Sequence, residues 1–105
     1  MQWLWTWSGK SFGYIDEDSL WTHDGRHVGK LQSDEIYAPT GGYIGEIMNG
    51  NRLITVTKKK SKTIAPYIPR SKRIGHVPYP DAVAYFVQTG FEDFPPASKI
   101  GVATR

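Results

Sequence analysis

The sequence predicts an all-β domain: four repeated β-hairpins in a closed or near-closed pseudo-fourfold array, with an extended C-terminal tail. Three observations predict it. Apolar and aromatic residues recur every sixteen positions, a pair of glycines recurs with them, and short strand-like runs are separated by turn residues instead of helical spacings.

In the first unit, Trp3–Trp7 pairs with Lys10–Ile15 around Ser8-Gly9; in the second, Ser19–Thr22 pairs with Arg26–Leu31 around Asp24-Gly25. In the third, Ile36–Ala38 pairs with Gly42–Ile47 around Thr40-Gly41. Asp-Gly between two such runs is a strong hairpin signal, because a tight turn needs the positive φ that glycine adopts without strain. At a spacing of sixteen, Trp5 aligns with Trp21, Tyr37 and Leu53, and Leu4 with Leu20, Ile36 and Arg52. On the return strands Phe12-Gly13-Tyr14-Ile15 aligns with Val28-Gly29-Lys30-Leu31 and Ile44-Gly45-Glu46-Ile47. The inner glycine of each copy faces Leu4 or its equivalent under a two-residue turn. It either lets bulky neighbours close on the symmetry axis or marks a bulge. Polar connectors, Asp16-Glu17-Asp18, Gln32-Ser33-Asp34 and Asn49-Gly50-Asn51, join the units.

A fourth hairpin starts at Arg52–Val56. The next match to the return pattern is Ile74-Gly75-His76-Val77, which makes residues 57–73 an enlarged, basic turn of that hairpin. Closing four hairpins on one another removes exposed strand edges. Residues 1–94 are read as one domain and 95–105 as a tail. Four prolines between 66 and 80 exclude a helix there. Asp81–Gln88 carries both helix punctuation and strand-forming residues, and is expected to be extended. Phe91–Phe94 is expected to dock as extended chain, with Ala97–Arg105 frayed.

The 105 residues suit one small domain whose core must be economical, and four Trp and six Tyr supply large buried areas per residue. The absence of cysteine excludes disulfides and thiolate chemistry and is compatible with a reducing compartment. The apolar start Met1–Trp7 is too short to span a membrane and has no basic leader, so a soluble, cytoplasmic protein without membrane attachment is expected. The net charge of +3 is unevenly distributed: residues 57–77 hold seven basic side chains and no acid.

The units Leu20-Trp21, Asp24-Gly25, Val28-Gly29-Lys30-Leu31, Glu35-Ile36-Tyr37, Tyr43–Ile47 and Arg52-Leu53, with the terminal Gly90-Phe91-Glu92-Asp93, resemble the bacterial 4-fold beta flower domain family. The resemblance covers most of residues 1–94 and implies four hairpin petals. It implies no activity. The apolar run Ala82–Val87 departs from the Pro/Gly-rich tail expected of the family.

Catalytic signals are weak, and no enzyme, cofactor or metal is expected. His23, His27 and His76 occupy different repeat positions, and His23-Asp24-His27 around one turn is a solvated cluster short of a metal site. Asp16-Glu17-Asp18 reads as a solvated connector, since a general acid needs burial to raise its pKa. Two features are candidates for recognition. Trp3 and Trp7 lack aromatic counterparts in the other units and share a face with Trp5, which receives the tail or meets a partner. The basic stretch Lys58, Lys59, Lys60, Lys62, Tyr67, Arg70, Lys72 and Arg73 either keeps the loop soluble or contacts phosphates without reading sequence. The expected role is a non-catalytic protein-interaction or scaffold module, its partner a protein, the chain itself included. The alternative is weak, non-specific nucleic-acid binding through 58–73.

Overall fold

A computed structural model of the chain describes residues 1–100. Eight strands follow one another in chain order: β1 Gln2–Thr6, β2 Ser11–Asp16, β3 Ser19–Thr22, β4 His27–Gln32, β5 Glu35–Tyr37, β6 Tyr43–Met48, β7 Arg52–Val56 and β8 Phe91–Asp93. Each pairs antiparallel with the next, and β1 also pairs in parallel with β7, so the first seven close into a barrel with β8 added on β7. Two single turns of 3-10 helix, Thr57–Lys59 and Ala97–Lys99, are the only helical pieces among the described residues. No helix among them is long and apolar enough to cross a membrane.

The three complete hairpins share one construction. Leu4 pairs with Gly13, Leu20 with Gly29 and Ile36 with Gly45, and the register slips by one residue immediately afterwards in all three. The slip is a bulge that leaves Phe12, Val28 and Ile44 unpaired. Phe12 and Val28 are buried in the core cluster and Ile44 packs against it. The bulge reading of the inner glycine holds, and space is also short there: a Cβ on Gly13 would strike the Trp21 carbonyl, on Gly29 the Ile36 side chain and on Gly45 the Phe94 ring. The hairpin turns have three residues instead of the expected two. Thr6 N–H donates to the Lys10 carbonyl (2.8 Å) and Gly9 N–H to that of Thr6 (2.9 Å), a pattern repeated at Thr22–Arg26 and Ala38–Gly42. Gly9, Gly25 and Gly41 close these turns at φ of 95°, 91° and 98°.

Leu4, Leu20, Ile36 and Leu53 are fully buried in one core. The sixteen-residue frame had put Arg52 in the fourth place. The connector Asn49-Gly50-Asn51 holds three residues where Glu17-Asp18 and Ser33-Asp34 hold two, which moves the frame by one from Leu53 onward.

The fourth return strand is also not at Ile74–Val77, where the return motif predicts it. Ile74–Val77 is not a strand, and its Ile74 and Val77 are exposed. Its place is taken by Phe91–Asp93, with Val56 opposite Phe91 and Ile54 opposite Asp93. Phe94 follows into the core. Its ring meets Phe12 edge-on at 5.3 Å and fills the space in front of Gly45. Ala97 packs on the same core and Ile100 is buried in it, so residues 97–100 are docked where fraying was expected; 101–105 lie outside the described residues.

Candidate functional site

Residues 64–90 form neither strand nor helix but run as an extended strap across the hairpin tips. Asp81–Gln88 is not a helix, and it is not a strand either. The strap visits the hairpins in reverse chain order at fixed steps. Ile64, Arg73 and Ala82, nine residues apart, donate their N–H to the carbonyls of Gly41, Gly25 and Gly9 at 2.7–2.8 Å. Tyr67, His76 and Tyr85, again nine apart, donate to Pro39, His23 and Trp7 at 2.6–3.0 Å. The sequence holds this second repeat as Ile64-Ala-Pro-Tyr67, Arg73-Ile-Gly-His76 and Ala82-Val-Ala-Tyr85, and Ile74–Val77 belongs to it. The strap also explains the turn glycines, because a Cβ at Gly9, Gly25 or Gly41 would strike the carbonyl of Ala82, Arg73 or Ile64.

The strap aromatics link hairpin to hairpin. Tyr67 bonds the third hairpin through its N–H and through its hydroxyl, which donates to the Tyr37 carbonyl at 2.6 Å, while its ring lies beside His27 and Lys30 of the second. His76 bonds the second hairpin and meets Trp3 and Tyr14 of the first edge-on. Tyr85 bonds the first and covers the guanidinium of Arg52 at 3.9 Å, beside the β1–β7 seam. Arg52 is buried and donates to the Thr6 and Trp7 carbonyls, with the Tyr85 face as its lid.

The tryptophan face receives this strap. Trp3 stacks on Tyr79 at 4.8 Å, Trp5 Nε1 donates to the Pro80 carbonyl and Trp7 Nε1 to that of Phe86, both at 2.9 Å. Trp3 and Trp7 thus spend their indoles on the chain's own segment. The rest of the strap faces outward: Ile68, Ile74, Val77, Val83 and Phe86 are 75–90% exposed, with Ile68, Val77 and Phe86 at nine-residue spacing. Phe86 also rims a small apolar cleft lined by Trp7, Met48, Ile54 and Phe91.

The basic stretch divides in two. Lys59 bridges Glu35 and Glu46 at 3.0 Å each, Lys62 pairs with Glu35 at 2.8 Å and Lys60 with Glu92 at 3.1 Å. The hydroxyls of Tyr37 and Tyr43 donate to the same Glu35 and Glu46, so the lysines are held by a network. The Lys62 and Lys59 ammonium groups lower the Glu35 pKa to about 2. Arg73 pairs with Asp16 at 2.9 Å and lies 3.9 Å over the Trp21 ring. Lys58, Arg70 and Lys72 make no ion pair among the described residues. The eight basic-stretch candidates are therefore not one surface.

The histidine cluster separates as well. His23 Nδ1 sits 3.2 Å from the His76 carbonyl, and the Asp24 carboxylate accepts from the Thr22 hydroxyl. His27 Nδ1 accepts the Arg70 N–H at 2.8 Å, which leaves its proton on Nε2 to donate to the Gly29 carbonyl at 2.9 Å. Burial lowers its pKa below the ordinary value. Among the described residues no group of three or more histidines and carboxylates is placed to hold a metal ion.

Residues 1–94 match the family described as 4-fold beta flower protein. No curated protein and no solved structure matches the chain.

Proposed function

Because the chain belongs to the 4-fold beta flower family, a petal array with an inherited fold, we propose that it is a non-catalytic binding module that holds a protein partner in the bacterial cytoplasm. The observation that carries this reading is the outward row Ile68, Ile74, Val77, Val83 and Phe86 on the strap. A small domain with few apolar residues rarely leaves five large ones so exposed on one segment, and exposed apolar surface on this scale supports a contact role. The inward half of each nonamer binds the petals, and its outward half is free to bind something else. A second copy of the chain and a different protein are both partners of this chemistry.

The lysine pairings support protein over nucleic acid. Lys59, Lys60 and Lys62 would have to leave carboxylates to reach phosphates. Catalysis draws no support from the carboxylates, since Glu35 is held ionised, opposite to what a general acid needs.

Photo-crosslinkers placed at Val77 and Phe86, with sedimentation of the purified chain in parallel, test the reading. A discrete crosslinked species, homodimer or heteromer, lost in Ile68→Ser with Ile74→Ser, is the expected result. A chain that stays monomeric with no discrete adduct overturns it. So does tight, salt-sensitive binding of generic duplex or single strand that Lys58→Ala with Lys72→Ala abolishes.

A further inference from the structure

The two repeats together mark a second site. At the first hairpin the strap supplies a carboxylate of its own: Asp81 accepts the Ser11 N–H at 3.0 Å and faces the Lys10 ammonium at 3.9 Å. Sixteen residues on, Lys10 and Ser11 become Arg26 and His27, on the same turn scaffold; nine residues back along the strap, Asp81 becomes Lys72. The turn itself is unchanged, with Arg26 N–H on the Thr22 hydroxyl as Lys10 N–H is on that of Thr6. The second hairpin thus keeps the cation and replaces its acid by another cation.

Around this place lies an open cavity of about 440 Å³ whose lining includes the cations Arg26, Arg70 and Lys72 and the apolar Pro39, Pro69 and Ile100, with no acid. None of the three cations has an ion pair among the described residues. Arg26 donates to the carbonyls of Ala97 and Ile100, which fixes its guanidinium without neutralising it. Asp24, the acid that feels Lys72, is engaged by Thr22, and Asp18 lines a neighbouring cavity with Arg70, whose Nε donates to the Ser19 hydroxyl at 3.3 Å. Cations lining one cleft with no acid among them raise its potential and favour the entry of an anion.

We propose that the cleft between the second and third hairpin tips is a carboxylate-binding site, taking from outside the group that Asp81 supplies at the first hairpin. The carboxylate would bridge Arg26 and Lys72, with Arg70 closing on it, and the apolar body attached to it would lie on Pro39, Pro69 and Ile100. Guanidinium and ammonium donors make charge-assisted bonds to carboxylate that are stronger than neutral ones. Either a small organic acid or an acidic side chain of a protein partner carries this chemistry. The site uses none of the outward apolar side chains of the strap.

The test is heteronuclear NMR of the full chain at pH 7.5 and constant ionic strength, titrated separately with benzoate, with a short blocked peptide bearing one glutamate, and with inorganic phosphate. Saturable shifts of the Arg26, His27 and Lys72 amides are expected with a carboxylate; benzoate alone identifies a small acid and the peptide alone an acidic partner chain. Lys72→Gln should weaken binding roughly tenfold. Lys72→Asp, which installs the internal acid, should abolish it and raise Tm. Absence of saturable shifts with both carboxylates, tighter binding of phosphate than of either, or unaltered binding by Lys72→Asp overturns the proposal.

Discussion

Individual glycines carry requirements that differ with what stands in front of them. Gly25 combines a positive φ with the Arg73 carbonyl in the space a Cβ would need, so Gly25→Ala is expected to cost about 2–4 kcal/mol. Gly50 also has positive φ, but nothing lies within 4 Å of its absent Cβ, and Gly50→Ala should cost only about 1 kcal/mol. Chemical denaturation of the two variants measures the difference directly. Trp21 offers the opposite case: its Nε1 is buried without a hydrogen-bond partner. Trp21→Phe gives up packing area but also removes an unpaired donor worth about 1–3 kcal/mol, so the variant should lie close to wild type in Tm. Residue-scale reading of the sequence found the turn glycines and their left-handed backbone. It could not find the second reason for them, since the strap carbonyls come from residues 23 to 73 positions away along the chain.

Among the elements, the strap is the one whose attachment depends on protonation. Arg70 N–H needs a neutral His27 Nδ1, and burial, the largest influence, lowers that pKa from 6.5; of the charged neighbours, Asp18 opposes this shift while Arg70 and Arg73 favour it. A depressed histidine contributes stability above its unfolded value and loses it as pH falls through 6.5 towards the folded value. Hydrogen exchange at the Arg70 amide, corrected for intrinsic rate, should therefore quicken relative to the Tyr85 amide between pH 7.5 and 5.5. Glu35 acts in a lower window. Held ionised chiefly by Lys62 and Lys59, it contributes stability above its ordinary 4.5 that is lost as pH falls towards about 2. Melting at pH 6 and pH 3 should show a smaller acid-induced loss in Glu35→Gln than in wild type. At this scale the first seven strands were legible, because period-two apolar runs and glycine-closed turns are local signals. The eighth was misplaced: Ile74-Gly-His-Val77 imitates the return motif, whereas Phe91-Glu-Asp carries no glycine and pairs with β7 across 34 intervening residues. What distinguishes them is the nine-residue period of the strap, a weak pattern when sought against a background of sixteen.

The whole molecule closes by joining its first strand to its seventh and then sealing the core with Phe94 and Ile100. Much of the stability is therefore non-local, and no single hairpin buries the Leu4, Leu20, Ile36 and Leu53 quartet by itself. Leu53→Ala and Phe94→Ala should each cost about 2–5 kcal/mol, and both should unfold in one transition when fluorescence and far-UV circular dichroism are followed together. The recognition sites were legible only as inventories. Charge counting found the lysines of the loop, but their neutralisation by Glu35, Glu46 and Glu92 is a fact of folding, and the unpaired trio Arg26, Arg70 and Lys72 draws one member from outside the basic stretch.

Counting in nines against counting in sixteens has a consequence for how such a chain can change length. Deleting one amino acid between Tyr67 and Arg73 would turn every later inward amide away from its petal, whereas a loop of similar size at Asn49–Asn51 has already absorbed an extra residue by sliding the frame. Growth of the flower by one more petal would demand two coordinated insertions, sixteen residues in the first half and nine in the second. Natural variation in size should therefore come in that paired currency, or be confined to the connectors.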